Sequence, residues 1–368
     1  GAVFQCDHEV IHTPGLQPPM QQILIYGATG YTGQLIAEHA VASGLRPVLA
    51  ARSDEKLRAL ADRLGLEGRV FGLESPAAVR EGIRDIGVVV HAAGPFSATS
   101  RPMADACLSA RAHYIDITGE VRVFEGLAAR DREAHEAGVM LLPGAGFDVV
   151  PSDCLAAHVK QRLPDATHLR LSIGGLGRVS RGTAKTMIES LGRGTLVRRD
   201  GLIVEANVTP RGSADFGNGP KPTIGVSWGD VATAWHSTGI PNIEVLFEAT
   251  PGLERGANTS RLWRRVLGTR LMQRWLKRKI DRRYPPGPTP EQRARYRSVL
   301  IAEASNAAGV RVASRLETVE GYTLTSWTAV EIARRAANGQ ALPGYQTPAT
   351  AYGADFILSF GQTRRHDE

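Results

Sequence analysis

The chain has 368 residues, 42% hydrophobic and 22% charged. These are the proportions of an ordinary globular protein, and the length suffices for one large or two medium domains. No stretch approaches the ~20 consecutive apolar residues of a membrane span. Cys6, Cys107 and Cys154 are too few and too scattered for a disulfide framework or a zinc site, so no metal is expected and a reducing cytoplasm fits. The net charge of +7 is local: between Arg255 and Arg297 lie fourteen Lys/Arg against two acids, Asp281 and Glu291, which leaves −5 for the rest.

Residues 1–20 show no hydrophobic period and end in a proline-rich run. They lack the basic start and apolar core of a secretory signal. They are expected to be a tail or an expression remnant outside the fold.

Residues 23–33 read I-L-I-Y-G-A-T-G-Y-T-G. Four apolar residues enter glycines at Gly27, Gly30 and Gly33, and an amphipathic run follows. A buried strand, a tight turn and a helix start let backbone N–H groups approach a pyrophosphate. The spacing is G-x-x-G-x-x-G, so the strand before and the helix after carry the reading. The other reading is a glycine-rich turn with no ligand.

Residues 47–51 form a second short strand, closed by Arg52 and Ser53 with Lys56 one turn on. This position meets the adenosine ribose. An acid there favours NAD, whereas Arg accommodates the 2′-phosphate of NADP. The strand ends in Arg52, and the nearest acid, Asp54, lies two residues on, so the expected cofactor is NADP. The alternative is a solvated Arg52, with Asp54 capping the next helix.

The alternation continues with a helix over 53–64, a strand over 69–72, a helix over 75–84 and a strand over 87–91. The last reads G-V-V-V-H, the apolar run of a strand buried on both faces. Its His91 is expected to be a satisfied, half-buried side chain. The small residues of A-A-G-P-F, 92–96, leave room for a ribose or nicotinamide. A helix over 100–110, a strand over 113–117, a helix over 123–137 and a strand over 139–142 complete a doubly wound parallel sheet with right-handed crossovers. Asp116 and Glu120 fall at the carboxyl edge, where ligands bind in such sheets.

The stretch P-G-A-G-F-D-V-V-P, 143–151, ends the alternation. A domain junction is a favoured place for a small-molecule site, and Asp148 lies at its turn. A helix starting at Ser152 or Asp153 runs to about 162. Turn and capping chemistry is the alternative role for Asp148 and Asp153.

Beyond 151 short strands are expected over 166–174, 195–199, 202–205, 224–228 and 242–249, with a hairpin over 298–307 and 309–317. Several alternate apolar and polar, the mark of an antiparallel sheet with one wet face. Helices are expected over 182–191 and 323–336. The stretch S-R-G-T-A-K-T, 180–186, opens the first of these and either brings Lys185 towards the nicotinamide or is a plain cap with a solvent lysine. The apolar tail, 354–360, is expected to dock back onto the protein.

The basic segment, 261–283, carries Leu262, Val266, Leu271, Trp275 and Ile280 at helical spacing, interrupted by Gly268, and ends in P-P-G-P-T-P. Three readings compete: a helical hairpin on the protein's own surface or at a dimer interface, a basic amphipathic helix on a membrane surface, and a docking face for an acidic carrier protein or a phosphate-bearing substrate. No nucleic-acid-binding pattern accompanies the charge.

G-A-T-G-Y-T-G with A-R-S, H-A-A-G-P-F, H-Y-I-D-I-T-G-E and P-G-A-G-F-D-V-V-P-S-D together resemble the saccharopine dehydrogenase-like oxidoreductases, and the nearest likeness is to the bacterial trans-acting enoyl reductase branch. S-R-G-T, R-Y-P-P-G-P, G-Y-T-L-T and Q-T-P-A-T-A-Y-G-A-D-F resemble the same branch, so the likeness spans most of residues 21–360. It implies an NADP-binding Rossmann domain over 21–150 and an α+β substrate or dimerisation domain over 151–345, with a basic helical insert at 255–297. It also implies a segment, 346–368, that returns to the first domain. Carried over by position, Gly27, Thr29, Gly30, Tyr31, Thr32 and Gly33 hold the pyrophosphate. Arg52 and Ser53 hold the 2′-phosphate, and Ala92, Ala93, Gly94 and Pro95 line the cofactor.

The expected activity is NADPH-dependent hydride transfer to a conjugated C=C or a C=N bond of a small-molecule or carrier-bound substrate. The alternatives are an opine-type dehydrogenase and a non-catalytic NADP-binding sensor or scaffold. A homodimer is expected, in the cytoplasm or peripheral to the membrane. The candidate proton donors are Asp116, Glu120, Asp148, Lys185 and Tyr322, with water as the alternative.

Overall fold

The computed structural model describes residues 20–368 except 178, 191–193, 260–262 and 264–265. Of the expected tail, 1–20, residues 1–19 lie outside the described residues, Cys6 among them, as do Leu262 and the three arginines 261, 264 and 265.

The first half winds as expected. Strands β1 (Ile23–Tyr26), β2 (Val48–Ala51), β3 (Gly68–Val70), β4 (Val88–His91), β5 (His113–Asp116) and β6 (Met140–Leu142) alternate with helices. These are α1 (Tyr31–Ala42), α2 (Asp54–Leu64), α3 (Pro76–Gly82), α4 (Phe96–Ala110), α5 (Val121–Ala128) and α6 (Asp131–Ala137). All four residues of β1, β2 and β4 are buried, because helices cover both faces of a parallel sheet.

Two helix boundaries differ from expectation. Helix α4 starts four residues early, at Phe96, because its first N–H groups are capped from a distance by Glu120. The single helix expected over 123–137 is two, broken at Ala129 and Arg130. There Arg130 turns back to Glu133 and Asp105 at 2.8 and 2.7 Å.

The second half continues with α7 (Val150–Arg162), β7 (His168–Gly174), α8 (Arg181–Ser190), β8 (Leu196–Arg199), β9 (Leu202–Glu205), β10 (Arg211–Asp215) and β11 (Pro220–Gly225). Then come α9 (Asp230–Thr238), β12 (Asn242–Glu248), α10 (Pro251–Ala257), α11 (Arg270–Arg283) and α12 (Pro290–Arg295). The chain closes with β13 (Arg297–Ser305), β14 (Arg311–Val319), α13 (Gly321–Arg335), β15 (Gly344–Tyr345), α14 (Pro348–Tyr352) and β16 (Arg364–Asp367). Helix α7 starts two residues before the earliest expected start. Strand β10 and helix α9 are unexpected; Gly217 and Gly219 take positive φ at the turn that joins β10 to β11.

The first sheet has seven parallel strands in the order β15-β6-β5-β4-β1-β2-β3. The second runs β10-β11-β12-β7-β13-β14-β16, with β8 and β9 attached to β12. It is mostly antiparallel, and β7 and β12 pair parallel. The fold is therefore α/β, with a Rossmann-like sheet and a mixed second sheet.

The two sheets share a core. Helix α13 packs on α1 of the first half although it lies beyond residue 320. Leu324, Val330 and Ile332 of α13 belong to the same buried cluster as Ile25, Ile36 and Val90. Helix α7 buries Val150, Cys154, Leu155 and Val159 in that cluster and is covered almost all round. The closing segment serves both layers. Strand β15 extends the first sheet, whereas β16 extends the second by pairing with β14. Within 346–368, Phe356, Ile357 and Phe360 join the shared core, and the terminal strand joins the second sheet, where the β14 edge is free to pair.

Candidate functional site

The site lies where β1 and β4 adjoin and their crossovers leave to opposite sides, towards β2 and β5, at the carboxyl edge of the first sheet. Gly27 has φ of +84°, and a Cβ there would stand 2.8 Å from the backbone and Cβ of Ala93. The loops after β1 and β4 therefore touch. A Cβ on Gly33 would meet the Gly27 carbonyl oxygen at 2.2 Å, so this glycine lets the helix pack on its own turn. At Gly30 only that carbonyl is near, at 3.3 Å, and the residue is exposed. Helix α1 opens with no side-chain cap, so its first N–H groups, from Tyr31, Thr32 and Gly33, face the cleft as an anion site. Thr29 lies half-buried within the loop, and Ala92, Ala93, Gly94 and Pro95 form the opposing wall with Gly94 and Pro95 exposed. The cradle fits a pyrophosphate.

Arg52 and Ser53 are both exposed after β2. Asp54 is not the cap of α2; Ser53 occupies that position, and its side chain makes no capping bond. Asp54 instead pairs with Arg58 at 2.7 Å. A guanidinium, a spare hydroxyl and an uncapped helix start thus lie together at the ribose position, a donor set that fits a 2′-phosphate.

Residues 23–142 match the family described as saccharopine dehydrogenase NADP binding domain. The match covers the first domain alone, about a third of the chain, and its description names NADP as the cofactor bound there. Over 149 residues the chain is 31% identical to the trans-acting enoyl reductase of Mycobacterium ulcerans, covering 38% of this chain and 36% of that protein. Over 139 residues it is 33% identical to the trans-acting enoyl reductase of Mycobacterium tuberculosis, covering 36% and 33%. The chain thus spans about a third of the length of these curated relatives. Apo saccharopine dehydrogenase (L-Glu forming) from Saccharomyces cerevisiae superposes with a TM-score of 0.64 at 11% identity, over 95% of this chain and all of that one, which shows a shared fold.

The proton-donor candidates separate on their surroundings. Asp116 is fully buried and accepts from the Tyr114 hydroxyl at 2.6 Å, the Thr118 N–H at 2.9 Å and the Gly144 N–H at 3.0 Å. Burial pushes its carboxyl up to about 6; its contacts join β5 to the junction loop. Glu120 accepts from the N–H groups of Phe96 and Ser97, both at 2.9 Å, and so fixes the Gly94–Pro95 turn. Lys185 is tied to Asp281 at 2.5 Å. The hydroxyl of Tyr322 accepts from the Ser180 N–H at 2.6 Å and bonds the Thr183 hydroxyl at 2.9 Å, and burial raises its pKa.

Asp148 differs. Its Oδ2 lies 2.7 Å from where a Cβ of Gly119 would be, so that glycine makes room for the carboxylate. The carboxyl lies deep, yet the residue keeps some accessible area, and burial pushes it up to about 7. The loop bearing it is held by Thr325, whose hydroxyl accepts from the Phe147 N–H at 2.9 Å, and by Thr328, which donates to the Ala145 carbonyl at 2.7 Å. Asp153, by contrast, accepts from the Ala349 N–H at 2.8 Å at the start of α14, a capping role. His91 is fully rather than half buried, with Nε2 bonded to Thr99 at 3.0 Å, and burial lowers it to about 3.

One participant escapes sequence reading. The segment between α11 and α12 lies over the glycine loop: the Tyr31 hydroxyl donates to the Pro288 carbonyl, Arg293 bonds that hydroxyl at 2.7 Å, and a Cβ on Gly287 would meet the Tyr31 ring at 2.5 Å. Tyr322 meets the same ring edge-on at 5.2 Å. Arg181 donates to the Tyr284 carbonyl from its side chain and to the Pro286 carbonyl from its backbone, and so ties α8 to this strap. The R-Y-P-P-G-P motif was visible in the sequence, but its partner was not.

Proposed function

We propose that the chain is an NADPH-dependent reductase acting on a C=C bond conjugated to the carbonyl of a carrier-bound acyl group, with Asp148 supplying the proton. When bound, NADPH supplies the hydride. The glycine loop, the start of α1, Arg52 and Ser53 bind and orient the cofactor, and Glu120 holds the opposing turn. A carboxyl titrating near neutral pH is matched to general acid work, because it carries a proton yet gives it up readily. Asp148 is the candidate with that property whose residue also keeps some accessible area, and this observation carries the reading. The carrier-bound class is supported by the name of the relatives, trans-acting enoyl reductase.

The test uses NADPH deuterated at its transferable position and a pantetheine-linked enoyl thioester. Deuterium in the saturated product supports the proposal. Oxidation of NADPH only when an amine and a keto acid are supplied together would establish an opine-type dehydrogenase instead. Tight NADPH binding with no oxidation by either would establish a sensor. The homodimer belongs to the same reading, and a single-chain mass in sedimentation counts against it.

A further inference from the structure

Helix α11 stands out from the body. None of its fourteen residues is buried, and seven are Lys or Arg against one acid, Asp281. That acid is engaged by Lys185 of α8, so this helix has no acid of its own to set against its outward bases. Met272, Gln273, Leu276, Lys277 and Ile280 are half-buried, on the side where α11 packs on α8. The opposite stripe runs Leu271, Trp275, Arg278 and Arg282, at intervals of four, three and four, which share one helix face. Leu271 is 79% and Trp275 57% exposed. The Lys279 ammonium lies 5.1 Å from the centre of the Trp275 ring, so the aromatic and the cations form one patch. Trp263, earlier in the same arm, is 62% exposed.

We propose that this face of α11 seats the protein on an anionic lipid surface. The stripe itself separates a lipid from a protein groove. A helix that docks in a groove presents apolar anchors at the first, fourth or fifth and eighth positions. Here apolar residues occupy two successive turns, and arginines take the next two places on the same stripe. A Trp and a Leu reach the headgroup boundary, where Trp partitions favourably. Arginine stems lie along the apolar boundary while their guanidinium groups meet phosphates. Low overall hydrophobicity, a dense basic belt and Trp and Leu on one face are the features of a helix lying in the membrane interface. Its charge complements the negative surface of phosphatidylglycerol-type lipids. The seat is joined to the cofactor cleft twice: α11 runs directly into the strap that bonds Tyr31, and Asp281 holds α8, whose first turn touches Tyr322.

The proposal is tested by co-sedimenting the full chain with vesicles of phosphatidylcholine alone and of phosphatidylcholine and phosphatidylglycerol in equal parts. Binding to the anionic vesicles only, weakening as salt rises, is expected. Leu271→Ser with Trp275→Ser should weaken it at least about tenfold through lost apolar burial. Arg278→Glu with Arg282→Glu should weaken it further, by roughly fivefold or more per removed cation. NADPH affinity, measured on the same samples, should stay unchanged in all variants. The emission lost in Trp275→Phe should be blue-shifted by anionic vesicles. Failure to sediment, equal binding to both vesicle types, or anionic binding undiminished in the Leu271/Trp275 variant would overturn the proposal. So would tighter binding to polyglutamate than to the anionic vesicles, which would make the face a site for an acidic protein.

Discussion

The Tyr31 hydroxyl, in the first turn of α1, donates to the carbonyl of Pro288 at 2.6 Å across 257 positions of sequence. The cofactor loop is thereby closed over by a segment of the second half. Tyr31→Phe removes that bond and the acceptor for Arg293 while keeping the ring against Gly287. A stability loss of about 1 kcal/mol is expected, with faster proteolysis between α11 and α12 and faster NADPH release. Unchanged proteolysis would show that the strap is held by Arg181 alone.

Arg52→Asp should weaken NADPH binding by about one to two orders of magnitude, the value of a charge-assisted phosphate contact. Affinity for NADH, which lacks the 2′-phosphate, should hold or improve. Titration of both cofactors by fluorescence checks this, and equal losses for both would place Arg52 outside the ribose site.

Gly33→Ala places a Cβ 2.2 Å from a backbone oxygen that no side-chain rotation can relieve. A loss of about 2–3 kcal/mol is expected, at the upper end for overpacking. Denaturant unfolding measures it. Gly126→Ala, whose Cβ would meet nothing within 4 Å, is the control and should cost little.

Asp148 must be protonated to donate. With its carboxyl raised to about 7, turnover should be full below that pH and fall as pH rises through it. Asp148→Asn should lower kcat and remove this alkaline limb. A limb that persists in the variant would assign it to another group.

Asp230 is fully buried, and neither carboxyl oxygen has a hydrogen-bond partner among the described residues, Ser152 Oγ donating instead to the Val149 carbonyl. Burial, reinforced by Asp153 and Asp148, raises its pKa well above the usual value. The folded state therefore holds a proton that the unfolded chain releases. Stability from this group is full below the ordinary carboxylate range near 3.8 and declines as pH rises above it towards the raised value. Asp230→Asn should therefore gain stability relative to wild type at about pH 8 compared with about pH 5, read by denaturant unfolding at both. An equal difference at the two pH values would show that Asp230 keeps its ordinary pKa in the fold.

What the sequence determined is local. The run into Gly27, Gly30 and Gly33, and the Arg closing β2, were legible because strand burial, glycine turns and phosphate chemistry are written in adjacent residues. The alternating parallel sheet was legible for the same reason, since each crossover completes itself within a few dozen positions. Tertiary structure decided what depends on distant partners. Glu120 and Asp116 appeared as candidate acids, and only the folded chain shows Glu120 capping α4 and Asp116 bonded to Tyr114, Thr118 and Gly144. No local pattern placed α13 on α1, Pro288 over Tyr31 or β16 beside β14. The raised carboxyl of Asp148 belongs to the same class: the sequence supplied an aspartate at a turn, and burial between the two halves set its proton affinity, because desolvation is a property of the packed neighbourhood rather than of the residue.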